Sequence, residues 1–215
     1  MKKTEVILVL DRSGSMASIK SDMEGGFKTW LDEQKKLPGE CRVTLVQFDT
    51  IYEVVYENRL IQDIDSIIIE PRGGTAYIDA ACRTIDDVGR RLANIPDKDK
   101  PEKVVFIIIT DGQENSSREF TAQQLKDKVK HQEEKYSWSF VFLGANLDMV
   151  STASSYGGSF ANAANFTPSA AGISASFSTL SNATSFYRSA VSVTDSYQIT
   201  DEERAKMEDK KDGSN

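Results

Sequence analysis

One histidine and two cysteines in 215 residues leave this chain short of the ligands that zinc prefers. Cys41 and Cys82 have no metal-like spacing and fall in apolar surroundings, so both are expected to be buried free thiols. His131 lies in a stretch rich in Lys and Glu and reads as a solvated surface residue. A hydrolytic triad would need a histidine near Ser13 or Ser15, and the only one sits on a different element. Gly-Lys-Ser/Thr after a strand is missing too, which removes the nucleotide-binding P-loop. An excess of basic residues is also lacking. With 26 Lys and Arg against 33 Asp and Glu, the net charge of -7 argues against a nucleic-acid partner, which needs a basic face. No run approaches transmembrane length, and Val6 to Leu10 is too short for a signal-peptide core and ends in the charge of Asp11. The expectation is a cytoplasmic protein without a membrane partner. The Asn-x-Ser/Thr matches at Asn115, Asn165 and Asn182 are then chance occurrences.

What the sequence does have is alternation of apolar runs with amphipathic stretches, the pattern of parallel strands linked by crossover helices. Val6 to Leu10 and Val104 to Ile109 are continuous apolar runs, as expected of strands covered on both faces. Arg42 to Phe48 and Ile51 to Tyr56 flank a tight Asp49-Thr50 connection, which predicts an antiparallel pair with the second strand at the sheet edge. Trp138 to Leu143 is a further strand. Ile19, Met23, Phe27, Trp30 and Leu31 recur at helical spacing up to Pro38-Gly39, and Ile78, Ala81, Cys82, Ile85, Val88 and Leu92 form another helical face. Thr121 and Gln124 make a capping box, with Phe120 and Leu125 as its hydrophobic staple.

Beyond Gly144 the composition shifts to Ala, Ser, Gly and Asn. Thr167 as N-cap, Pro168 at the first helical position, and the stripe Ile173, Phe177, Leu180, Tyr187, Val191 nevertheless predict a packed helix. Residues 200–215 open with Thr-x-x-Glu but carry almost no apolar face, so a frayed helix or disordered tail is expected after a domain spanning 1–199.

Three separated pieces fall at or near strand ends: Asp11-Arg12-Ser13-Gly14-Ser15, Gly73-Gly74-Thr75, and Thr110-Asp111-Gly112. Loops beyond the carboxyl ends of parallel strands converge on one crevice, so the pieces can share a site. Their hydroxyls and carboxylates are hard oxygen donors, suited to Mg²⁺, with Mn²⁺ or Ca²⁺ as alternatives. Any one piece alone has an ordinary explanation as a helix-capping or turn sequence. Together, over roughly Thr4 to Val191, they make the chain resemble the von Willebrand factor A family in its stand-alone cytosolic bacterial or phage type. The resemblance implies a doubly wound Rossmann-like α/β fold of about six strands, ordered 3-2-1-4-5-6, mostly parallel with one antiparallel edge strand. It also implies a metal-ion-dependent adhesion site in which Ser13, Ser15 and Thr75 bind the metal directly and Asp11 and Asp111 hold its waters.

Neutral direct ligands leave a divalent ion electrophilic toward an anionic oxygen from outside, and the resemblance implies a binding module rather than an enzyme. The module would bind Mg²⁺ and grip a Glu or Asp carboxylate of a partner protein. The competing readings are a metal-independent scaffold with a vestigial site, or a phosphatase-like metal-dependent hydrolase. The haloacid-dehalogenase pattern needs a second Asp two residues after Asp11, and Ser13 stands there. Arg12 and Arg72 flank the pieces and are candidates to steer an acidic partner. Glu114 and Asn115 are candidates for the water shell or for a turn.

Overall fold

The computed structural model describes residues 3–145, 162–191 and 198–208. Much of the Ser/Gly/Ala-rich stretch after Gly144 lies outside the described residues. Six strands form one sheet: β1 (Lys3–Asp11), β2 (Glu40–Phe48), β3 (Tyr52–Leu60), β4 (Lys103–Thr110), β5 (Ser139–Gly144) and β6 (Ala163–Asn165). Their order is β3-β2-β1-β4-β5-β6, and among the described residues only the β2/β3 pair is antiparallel. This is the expected 3-2-1-4-5-6 sheet.

Burial on both faces explains why the central strands read as unbroken apolar runs. Side chains alternate across the sheet with period two. Val6, Leu8 and Leu10 of β1, with Val105, Ile107 and Ile109 of β4, join the core beneath α1 (Lys20–Lys35) and α4 (Ala170–Ser189). Ile7, Val9, Phe106 and Ile108 point the other way, into the core under α2 (Tyr77–Ala93) and α3 (Ala122–Tyr136). Both cysteines are free and buried. The Thr121/Gln124 capping box forms, and Leu125 is buried with Phe120 packed against the same core. No helix among the described residues is long and apolar enough to cross a membrane.

The carboxyl-terminal part departs from expectation in three details. The N-cap of α4 is Ser169, whose hydroxyl accepts from the Gly172 N–H, rather than Thr167. Val191 falls beyond the helix and is 92% exposed, so the packed stripe ends at Tyr187. Within residues 200–215, expected as a frayed helix or disordered tail, a short helix α5 (Asp201–Met207) forms under a Thr200/Glu203 capping box with Met207 fully buried, and residues 209–215 lie outside the described residues. The Met207 carbonyl accepts from Thr167 N–H at 2.9 Å, and Arg204 Nε donates to the Ala163 carbonyl at 3.1 Å. One methionine and one arginine thus dock a helix that has almost no apolar face.

The small residues of α4 allow it to press on α1 rather than only on the sheet. Gln34 Nε2 donates to the Ser181 and Ser185 hydroxyls, Trp30 Nε1 donates to Thr184 Oγ1, and Arg188 Nη1 donates to the Gln34 carbonyl at 2.7 Å. Gly26 leaves room for the Phe177 ring of α4 against α1, since a Cβ there would lie 2.2 Å from that ring. Its neighbour Gly25 has open space around it. Gly26→Ala is therefore expected to destabilise by about 1–3 kcal/mol through overpacking. Gly25→Ala should stabilise by about 0.5–1 kcal/mol, because alanine restricts the unfolded chain and favours helix. Urea unfolding of the two variants checks the opposite signs.

Candidate metal centre

β1 and β4 are adjacent parallel strands whose following loops leave the sheet on opposite sides, the position at which an open α/β sheet forms a crevice. Asp11 ends β1 and Thr110 ends β4. The Asp11 carboxylate has no solvent exposure. Its Oδ2 accepts from Thr110 Oγ1 at 2.6 Å, and its Oδ1 accepts from the Ser13 N–H at 2.6 Å. Burial nevertheless dominates and pushes its pKa up to about 6.

A 3-10 turn over Gly14–Ser18 follows, and it carries Ser15 back toward β4. Ser13 Oγ and Ser15 Oγ are 3.1 Å apart, and Ser15 Oγ donates to Asp111 Oδ1 at 2.6 Å. Asp111 is also buried, and burial raises its pKa. Thr75 completes the group. A Cβ placed on Gly112 would lie 2.9 Å from Thr75 Oγ1 and 3.6 Å from Ser15 Oγ, so this hydroxyl faces the same small space. All five residues singled out in the sequence, Asp11, Ser13, Ser15, Thr75 and Asp111, are thereby brought to one place.

The donor set fits a hard divalent cation, because two carboxylates and three hydroxyls converge with no sulfur or imidazole among them. Among the described residues there is no cluster of three or more His, Cys, Asp or Glu side chains of the kind that makes a carboxylate cage. Any cation here would rely on hydroxyl oxygens for much of its coordination.

Four supporting residues carry weaker sequence signals. Thr110 was visible only as the residue before Asp111, yet its hydroxyl holds Asp11. Asn115 and Glu114 act on the backbone. Asn115 Oδ1 accepts from the Thr75 N–H at 2.9 Å, while Glu114 accepts from the N–H groups of Ile78, Ser116 and Ser117. Asp49 looked like an ordinary turn residue. It is instead a buried hub that accepts from Arg12 Nε at 2.8 Å and from Arg72 Nε at 2.9 Å. Arg12 is itself buried, with Nη1 donating to Glu53 at 2.5 Å, so it ties loops together and is not an exposed steering charge. His131 is exposed on α3, as expected.

No family model matches the chain, and no curated protein matches it. Solved structures do. It is similar to the von Willebrand factor type A protein from Catenulispora acidiphila at TM-score 0.59 and 14% identity, over 86% of this chain and 43% of that one. The von Willebrand factor domain of the type V pili tip protein Mfa5 from Porphyromonas gingivalis matches at TM-score 0.60 and 11% identity, over 89% of this chain and 98% of that one. The pilus adhesin SpaC from Lactobacillus rhamnosus GG matches at TM-score 0.60 and 17% identity, over 85% of this chain and 30% of that one. This chain therefore spans less than half the length of the first and third. The fold is that of the von Willebrand factor A domain.

Asp49 generates a prediction about pH. Burial alone would raise its pKa, but hydrogen bonds from Arg72, the Ile51 N–H and Arg12 outweigh it and hold the carboxyl below its ordinary value. A lowered folded-state pKa stabilises above the unfolded-state value near 3.8, and that stability is lost as pH falls through the folded value. Asp49→Asn should cost about 3 kcal/mol at pH 7 by leaving the Arg12 guanidinium without its buried counter-charge. The difference from wild type, measured by urea unfolding, should shrink below about pH 4.

Proposed function

We propose that the chain is a metal-dependent protein-interaction module and not an enzyme. It would bind Mg²⁺, or Mn²⁺ or Ca²⁺ in its place, through Asp11, Ser13, Ser15, Thr75 and Asp111, and grip a Glu or Asp of a partner protein. The observation that carries this reading is the convergence of two buried carboxylates and three hydroxyls, joined by the Ser15 Oγ to Asp111 and Thr110 Oγ1 to Asp11 hydrogen bonds. Similarity of fold to a pilus tip domain and a pilus adhesin supports interaction with other proteins as the general role. A cytoplasmic location remains part of the proposal, on the composition of the chain.

The residues divide the work. Asp11 and Asp111 supply the only two formal negative charges of the set and are held apart by their own hydrogen-bond partners, Thr110 and Ser15. Ser13, Ser15 and Thr75 contribute neutral oxygens. A divalent cation held by such a set supplies an electrophilic position for a carboxylate from outside. Asn115 Oδ1 and the two backbone N–H groups that donate to the Thr75 carbonyl hold the backbone that carries this hydroxyl.

A ligand that binds only the native state stabilises it by RT ln(1 + [L]/Kd), about 1.4 kcal/mol at about ten times Kd. Mg²⁺ should therefore raise the Tm of wild type by a few degrees, and Asp11→Ala should abolish the response. Thr75→Ala should retain most of the Mg²⁺ response but lose partner capture. Affinity purification from a cell lysate in Mg²⁺ and in EDTA, with bound proteins identified by mass spectrometry, reads the second effect. Equal Mg²⁺ responses in wild type and Asp11→Ala would reject the site, and partners retained in EDTA would favour the metal-independent scaffold.

A further inference from the structure

Next to the metal-centre loops, the edge of the sheet carries a cavity of about 440 Å³ between β3 and the extended connection over residues 64–72. Arg12 and Tyr56 both line it. Although Asp49 and Glu53 occupy Nε and Nη1 of Arg12, its Nη2 has no hydrogen-bond partner among the described residues, and neither does the Tyr56 hydroxyl. Arg12 is 4% and Tyr56 9% exposed, so two residues that line this cavity each carry a buried donor left over. Groups of this kind are rare, because an unmade buried hydrogen bond is costly.

The rim is unusual in a second respect. Val55 and Ile68 also line the cavity, and they are 43% and 70% exposed. Val55 stands at a β-bulge: Leu45 pairs with Tyr56 and Val46 with Val54, leaving Val55 without a counterpart on β2. The bulge lets consecutive residues Val55 and Tyr56 face one cavity, as bulges at sheet edges often re-aim side chains. β3 pairs only with β2 among the described residues, so its outer edge is open to an added extended segment.

Charge decides what fits. The arginines at the cavity, Arg12, Arg59 and Arg72, are matched by Glu53, Asp65 and Glu70. A neutral acceptor therefore suits the two donors better than a carboxylate or a cation. A buried water would satisfy the donors but leave the aliphatic rim uncovered. The cavity shares Arg12 with the loops of the centre described above: Arg12 stands between Asp11 and Ser13, and its carbonyl accepts from the Arg72 N–H at 2.9 Å.

We propose that this cavity is a second anchoring subsite for the acidic partner and takes an extended, aliphatic stretch of its main chain. Peptide carbonyl oxygens accept from Arg12 Nη2 and Tyr56 Oη, and a Val, Ile or Leu side chain lies between Val55 and Ile68. Exposed Arg59, 5.5 Å from the Tyr56 ring centroid, is the side chain that moves aside. The inference rests on the metal-gripped carboxylate as the first anchor, and it makes the acidic residue and the aliphatic residue parts of one linear motif.

The test uses an immobilised library of short acetylated and amidated peptides, each with one fixed central Glu and randomised flanks, probed with the full chain in Mg²⁺ and in EDTA. The expected result is Mg²⁺-dependent binding with Val, Ile or Leu enriched at one fixed distance from the Glu. Val55→Ser combined with Ile68→Ser, both exposed positions, should erase that enrichment. Tyr56→Phe should lower affinity for the selected peptide about two- to tenfold, the effect of one lost hydrogen bond, while Mg²⁺ dependence persists. Mg²⁺-dependent binding without an aliphatic preference, or with one indifferent to Val55→Ser and Ile68→Ser, overturns the subsite and spares the metal reading. Aliphatic selection that ignores EDTA but is lost in those variants keeps the subsite and sinks the metal reading. Failure to select any peptide overturns both.

Discussion

Keeping a carboxylate with no solvent exposure at the end of the central strand is costly, and much of what surrounds Asp11 answers that cost. The Thr110 hydroxyl reaches it only because β1 and β4 are parallel neighbours in a register that pairs Leu10 with Ile109. The Ser13 N–H reaches it only because the chain turns at once after β1. That same turn returns Ser15 toward Asp111, one residue beyond Thr110. Sheet order, strand register and turn geometry thus all meet in the environment of one buried acid.

Asp49 is the counterpart of Asp11. Both are buried acids at strand ends, yet the first titrates lower and the second higher than an ordinary carboxyl. The difference lies in their neighbours. Asp49 has two guanidiniums and a backbone N–H, whereas Asp11 has a hydroxyl and a backbone N–H, which offset only part of its desolvation. Asp49 also orders the site at a distance. Its carbonyl accepts from the Ala76 N–H, and the preceding Phe48 carbonyl accepts from the Arg12 N–H, so the turn after β2 braces the loops that bear Ser13 and Thr75.

The strands and helices were legible because both strong periodicities were present: continuous apolar runs in β1 and β4, and helical stripes in α1 and α2. Of the site, the five converging residues were legible because each stands at a strand end or in a loop that the topology brings to the crevice. What the sequence hid were groups whose role depends on a distant partner. The Arg12 charge looked free because Asp49 and Glu53 lie 37 and 41 residues away. The helix after Thr200 looked unsupported because its anchorage is one buried methionine and backbone acceptors at Ala163 and Ile199, which no apolar pattern records. The connection over 64–72 pairs with no strand among the described residues but still alternates, with Ile67 and Ile69 buried and Ile68 exposed. Burial by packing alone leaves no hairpin or helix signature.

The placement of Arg12 bears directly on what the centre is for. Its backbone lies between Asp11 and Ser13, so its guanidinium could in principle have neutralised the buried acid. The side chain is committed instead to Asp49 and Glu53, and among the described residues no Lys or Arg forms an ion pair with Asp11. A chain that only needed to stabilise this carboxylate would gain by turning the adjacent cation inward. Directing it to the sheet edge leaves, on the proposed reading, Asp11 and Asp111 for a small external cation to neutralise. On the proposed reading, the same choice leaves Nη2 of Arg12 at the edge cavity, so one side chain divides the partner's contacts between a charged anchor and a neutral one.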